Sequence, residues 1–210
     1  MKTITVASAK GGTGKSTITA LLAVRASQDT PRVAMMDLNF DQGSLTQWWT
    51  MRGEPDSPKL IDESDVEKIP RDVKKLAGAY DWLFIDTPPF DMDVIEQAIA
   101  VADAVVVPVK AGFFDIMASQ SVVEMCRERR KPFSLLLNAV DTKFKVLTRQ
   151  AKVAFVDVGP MFASQIDHRL PYIQALSKGK TGGEIDKAAR EEVDGLWAEV
   201  RRLAEKGRPQ

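Results

Sequence analysis

Apolar runs and amphipathic stretches alternate along this chain of 210 residues from one end to the other. The spans 2–8, 32–37, 82–86, 103–109, 133–139 and roughly 160–166 read as strands, and most are apolar throughout rather than at every second position. A strand apolar on both faces is buried on both faces, which is the condition of a parallel sheet covered by helices on either side. The intervening segments predict helices near 15–28, 65–77, 92–102, 116–130, 147–157, 171–178 and 184–206. The alternation therefore predicts an α/β fold, a doubly wound and mostly parallel sheet with helices on both faces and right-handed crossovers. The length suits one sizeable core, so 1–210 is read as a single domain. Residues 52–64, rich in Pro, Ser and charge, read as a surface loop.

Composition removes several classes. No run of about 18 apolar residues is present, so no membrane span is expected. The chain enters a strand at once, without the basic and apolar leader of a secretory signal. Cys126 is the only cysteine, which excludes an internal disulfide and a cysteine-rich metal centre. The expectation is a cytoplasmic protein. Formal net charge is zero, but residues 1–105 carry 11 basic and 16 acidic side chains while 106–210 carry 18 and 13. That asymmetry fits a solvated helix face, and equally a local basic surface able to make salt-sensitive contacts with nucleic acid.

The strongest chemical signal follows the first strand: Ala9-Lys10-Gly11-Gly12-Thr13-Gly14-Lys15-Ser16-Thr17, leading into a helix. Glycines at 11, 12 and 14 let the backbone fold tightly, so that successive N–H groups point inward at an anion. The free N–H groups and positive end of the following helix face the same anion. Lys15 supplies a charge for the β- and γ-phosphates, and the Ser16 hydroxyl can ligate Mg²⁺. Loop, lysine, hydroxyl and strand–helix setting coincide, which a turn without a ligand would not require. Residues 11–17 are the expected nucleotide contacts. Asp86 and Asp37 each end a buried strand, where a carboxylate faces the ligand crevice of a parallel sheet. Asp86 could instead cap the helix that follows it.

This phosphate loop resembles the deviant Walker A box of the ParA/MinD family of P-loop ATPases, with Ala9 where the general motif has glycine and Lys10 as the early signature lysine. The resemblance spans nearly the whole chain, including the segments 98–109 and 112–121. It implies ATP and Mg²⁺ as cofactors, with Lys10 reaching across a dimer interface to the partner's nucleotide. A second cation there would offset charge crowding and stabilise the transition state. Lys15 is the loop's own catalytic cation. By the same resemblance Asp86 corresponds to the Walker B aspartate, which with Ser16 holds the metal. The stretch Asp37-Leu38-Asn39-Phe40-Asp41-Gln42-Gly43-Ser44 resembles the family's A′ box, D-x-D-P-Q-G-S, but Asn39 occupies the second aspartate position and one extra residue precedes Gln42. An amide cannot accept a proton as a carboxylate does. Either Asp41 takes that role beside Asp37, or hydrolysis is slow. Asn138, at the end of an apolar strand, matches the asparagine that in the family bonds the adenine edge; it could also simply close a turn.

The chain begins at the P-loop strand and so resembles the short ParA type, without an N-terminal helix-turn-helix. The implied function is an ATPase whose ATP-dependent homodimer binds nonspecific DNA and positions plasmid, chromosome or protein-cluster cargo, with a ParB-like adaptor stimulating slow hydrolysis. Localisation would then be nucleoid-associated. Candidate DNA contacts are Lys143, Lys145, Arg149 and Lys152, although scattered solvated charges account for them equally. The last helix carries six basic and seven acidic residues over 184–208, which an anionic membrane would not hold. Its stripe of Ile185, Ala189, Val193, Leu196, Val200 and Leu203 reads as core-docking, with Trp197 packing beside it. Other readings are a MinD-like positioning ATPase, a metabolic P-loop enzyme and a weakly hydrolysing nucleotide-binding scaffold.

Overall fold

The computed structural model describes residues 1–61 and 66–206, and the side chains of all of these except Phe113, Lys145 and Lys206. Seven parallel strands form one sheet: β1 (Lys2–Val6), β2 (Val33–Asp37), β3 (Lys59–Ile61), β4 (Trp82–Asp86), β5 (Ala104–Val109), β6 (Phe133–Val140) and β7 (Ile166–Asp167), in the order β3-β2-β4-β1-β5-β6-β7. The helices are α1 (Lys15–Ser27), α2 (Ser44–Met51), α3 (Ile69–Leu76), α4 (Met92–Val101), α5 (Phe113–Glu128), α6 (Lys145–Val156), α7 (Leu170–Leu176), α8 (Gly182–Ile185) and α9 (Lys187–Lys206). The expected doubly wound α/β fold is present.

The continuous apolar runs are explained by the packing. Alternate residues of β2 point to opposite faces: Val33 and Met35 join a core with α1 and α9, while Ala34 and Met36 join one with α3 and α4. A third cluster packs β5 and β6 against α4, α5 and α6. Thr5, polar within β1, is fully buried and donates its hydroxyl to the Ala98 carbonyl at 2.8 Å. Pro108 is tolerated in β5 because the pairing with β1 covers only Ala104–Val106, so its missing N–H removes nothing from that ladder.

α9 docks as expected. Ala189, Val193, Leu196, Trp197 and Val200 are buried, and the Trp197 ring meets Trp82 edge-on at 4.7 Å. The Trp197 indole N–H donates to Asp29 at 2.8 Å, so the buried ring keeps its polar atom satisfied. Ile185 departs from the expected stripe. It is exposed and ends α8, where a break at Asp186 turns the chain before α9 begins.

Other boundaries shift for physical reasons. The expected helix 65–77 is a 3₁₀ turn over Val66–Lys68 followed by α3, with Pro70 in its first turn; residue 65 lies outside the described residues, as do 62–64 of the expected loop. The rest of that loop contains the three-residue edge strand β3, paired to β2 over Ala34–Met36. The expected strand 160–166 reduces to a bridge between Met161 and Leu135 and to β7.

Candidate functional site

β1 lies at the centre of the sheet, flanked by β4 and β5, and the loop leaving it opens into the crevice at the strands' carboxyl ends. Gly12 and Gly14 have φ of 72° and 96°, a region costly for any residue with a Cβ. Gly14 is the N-cap of α1, and a Cβ there would lie 2.2 Å from the Asn138 amide nitrogen. Asn138 therefore fixes this loop: it is buried and donates to the Thr13 carbonyl at 2.7 Å. That bond engages one amide hydrogen of a side chain that also lines the cleft on the far side of the loop, with His168, Arg169, Tyr172 and Ile173.

Residues 11, 12 and 14–17 line a cavity of about 300 Å³, closed on its other sides by Asn39, Gln42, Ser44, Pro89 and Phe90. Lys15 is 7% exposed, and its ammonium donates to the Lys10 carbonyl at 3.2 Å. Burial lowers its pKa, and the charge of Asp86 opposes that shift. Lys10 points elsewhere: its ammonium pairs at 2.7 Å with Asp115, a carboxylate only 6% exposed in the first turn of α5. The Lys110 amide also donates to Asp115, at 3.3 Å.

The candidate acids divide into three roles. Asp86 is fully buried, and no described protein group satisfies either of its oxygens with a hydrogen bond of ordinary geometry. Burial pushes its carboxyl up to about 7, the Asp37 charge acts in the same direction, and the Ser16 hydroxyl, Lys15 ammonium and Thr87 amide act against it. A buried carboxylate that these nearby donors do not satisfy with a hydrogen bond of ordinary geometry, and that lies beside a hydroxyl, suits a hard divalent cation with oxygen ligands. Asp86 and Ser16 fit Mg²⁺ in this sense. Asp37 is fully engaged: one oxygen accepts the Asn39 backbone N–H at 3.1 Å, the other accepts the Thr46 backbone N–H and hydroxyl at 2.9 and 3.0 Å. It braces the loop and α2. Of the two residues considered for activating water, Asn39 is buried and lines the cavity, its amide donating to Gln42 at 3.2 Å, while Asp41 is exposed on the turn outside it.

Among the basic candidates, Lys143 and Arg149 are exposed and Lys152 is half-buried. Arg149 and Lys152 line a cavity of about 290 Å³ with Val140, Thr142, Thr148 and Gln165. Lys145 begins α6, but its side chain lies outside the described residues. The sequence reading missed Asp115 as the partner of Lys10, and Pro89 and Phe90 at the rim of the cavity. Asp115 stands 105 positions from Lys10, and nothing local joins them.

Asp86 makes a testable difference before any ligand is added. The unfolded carboxyl releases its proton near 3.8, the folded one near 7. Between these values the unfolded state binds fewer protons, so stability falls as pH rises across that window and is level above it. The loss is on the order of 4 kcal/mol. Urea melts of nucleotide- and Mg²⁺-free protein from pH 4 to 8 should show this fall, and Asp86→Asn should flatten it; parallel curves would mean that Asp86 does not carry the proton.

A glycine-lined loop, a buried lysine and an unpaired carboxylate at the carboxyl end of a central parallel strand define a phosphate-binding α/β nucleotide domain. Residues 4–151 match the family described as the CobQ/CobB/MinD/ParA nucleotide binding domain, and the chain belongs to that family. It is 27% identical over 210 residues to the maintenance of carboxysome distribution protein A of Halothiobacillus neapolitanus, covering 94% of this chain and 95% of that one. It is 27% identical over 217 residues to the chromosome-partitioning ATPase Soj of Thermus thermophilus, covering 86% and 87%. In fold it superposes on a plasmid partition protein of Borrelia burgdorferi bound to AMPPNP with a TM-score of 0.79 at 18% identity, over 96% and 99% of the two chains. Among the described residues no helix is long and apolar enough to cross a membrane.

Proposed function

We propose that this chain is a positioning ATPase switched by nucleotide: ATP with Mg²⁺ closes two copies face to face, the dimer holds nonspecific DNA, and an adaptor on the cargo stimulates hydrolysis and release. The observation that carries this reading is the placement of Lys10. It lies in the phosphate loop, yet its ammonium is held by Asp115 away from the loop's own cavity. A cation so placed serves no phosphate in its own chain without moving, and fits the cross-dimer role that its place in the signature box implies. Gly11–Thr17, Lys15 and Asn138 are the nucleotide contacts of this proposal, with Ser16 and Asp86 holding Mg²⁺. Bound there, the cation would neutralise phosphate charge.

The DNA step is supported by the cleft at α6, where Arg149 and Lys152 stand with Thr142, Thr148 and Gln165 and, among the described residues, no carboxylate lines the wall. Lys143 follows Thr142 in sequence, and Lys145 begins α6. Such a surface contacts phosphates without reading bases. The cargo class is suggested by the relatives, one named for carboxysome distribution and another for chromosome partitioning. Asn39 in the cavity wall favours slow turnover, as a timer requires. The test is sedimentation and DNA binding with ATP, ADP and no nucleotide, for wild type and Lys10→Ala. Wild type should dimerise and bind DNA with ATP alone. Lys10→Ala should keep ATP affinity within about threefold but lose partner-stimulated turnover by about 100-fold or more. Identical behaviour of wild type under all three conditions rules out the switch.

A further inference from the structure

Phe90, in the loop between β4 and α4, works against the fold in two ways. Its φ is 64°, in the left-handed region where a bulky side chain is a rare outlier. The Asp91 amide donates to the Pro89 carbonyl at 2.8 Å, closing a three-residue turn about Phe90, and the positive-φ form of that turn is the strained one. The ring is 75% exposed, so burial offsets little of this. A glycine would hold the same turn without strain and without an aromatic in water.

The loop is pinned all the same. The Phe90 amide donates to the Ala9 carbonyl at 3.2 Å, the Thr87 hydroxyl to the Val6 carbonyl at 3.1 Å, and the Asp91 carboxylate caps α4 through the Val94 amide at 3.2 Å. These bonds place the ring against the phosphate loop: a Cβ on Gly11 would lie 3.8 Å from Phe90 Cε2. A strained residue held at the lip of a ligand site by its surroundings points to function there. Its position argues against stacking on the base of a nucleotide in its own chain. Phe90 stands with Asn39 and Gln42, whereas the cleft lined by Asn138 and Ile173 opens on the other side of the loop.

We propose that Phe90 is an anchor of the contact between two copies of this chain, its ring pressing on the second copy across the mouth of the phosphate cavity. The inference rests on the nucleotide-switched dimer proposed above and names a residue that makes it. Phe90 is bonded to Ala9, the residue before Lys10, and lines the cavity with Gly11, the residue after it, so a docking that carries Lys10 to a second copy's phosphates carries Phe90 with it. Aromatic side chains, phenylalanine among them, are enriched at interfaces, and a two-fold interface uses each of them twice.

The experiment compares full-length wild type with Phe90→Gly and Phe90→Leu. Phe90→Gly is expected to raise Tm without nucleotide by about 2–4 °C. Its ATP affinity, measured calorimetrically at concentrations where the chain is monomeric, should stay within about twofold, while its ATP-dependent dimer weakens by about tenfold or more in sedimentation. Phe90→Leu, which keeps apolar bulk and backbone strain, should keep the dimer within about threefold and gain no Tm. A Phe90→Gly dimer as tight as wild type overturns the inference. So does a matching loss of ATP affinity, since the ring would then shape its own chain's cavity. If Phe90→Gly does not fold, Phe90→Asn, which tolerates the positive φ, carries the same comparison. A wild type that stays monomeric with ATP overturns the dimer reading itself and this inference with it; a normal wild-type dimer beside an unimpaired glycine variant overturns this inference alone.

Discussion

Lys15→Ala is expected to lower ATP affinity by at least about 100-fold while leaving the fold intact. Among the described residues this lysine is the one cation buried in the phosphate cavity, and the loop would meet the β- and γ-phosphates there with backbone N–H groups alone without it. Charge-assisted contacts in a partly desolvated cavity are worth about twice the neutral ones, and a triphosphate offers several to one ammonium. The fold survives because the loop does not depend on this side chain. Gly14 caps α1, the Asn138–Thr13 bond pins the turn, and Phe90 ties to Ala9. Removing Lys15 also takes away a charge opposing the upward shift at Asp86, so that carboxyl stays protonated to higher pH. Titration calorimetry with ATP and Mg²⁺ beside a thermal melt checks both halves. Undiminished uptake of ATP would mean that the nucleotide is held elsewhere.

The parts of this molecule legible in the sequence are those where one local rule decides. Continuous apolar runs give buried strands, and β1, β2, β4, β5 and β6 fall where the pattern puts them. The phosphate loop is legible because its chemistry is contiguous. What the sequence conceals depends on distant partners. α2 has only eight residues with two tryptophans, and its amino end is fixed by Asp37 reaching Thr46 from a strand end. β3 is a strand only because β2 presents a free edge. The tie between Lys10 and Asp115 spans two halves of the chain, and the positive φ of Phe90 belongs to a turn whose residue type gives no warning. Asn138 shows the mixed case: its location at a strand end is readable, but its bond to the loop at Thr13 is a property of the folded crevice.

Asn39→Asp is expected to raise ATP turnover by about 10- to 100-fold, reversing the one departure from the family's pattern that the cavity takes up. Position 39 is buried in the wall of the phosphate cavity, and Asp41 is too exposed on the turn to substitute for it. An amide can orient a water molecule but cannot take its proton; a carboxylate does both, and general bases contribute about 10²–10⁴ when well placed. The lower figure is expected here because a third carboxylate would join Asp37 and Asp86, and their mutual repulsion raises the new group's pKa and reduces its charged fraction. The same crowding should lower the nucleotide-free Tm, while bound Mg²⁺ at Asp86 and Ser16 would relieve part of it. Single-turnover hydrolysis measured against pH separates the two effects: the gain should grow as pH rises through the titration of the carboxyl introduced at position 39. A variant no faster than wild type at any pH would place the attacking water beyond reach of position 39, and slow turnover would then have to originate in the loop between β2 and α2 as a whole.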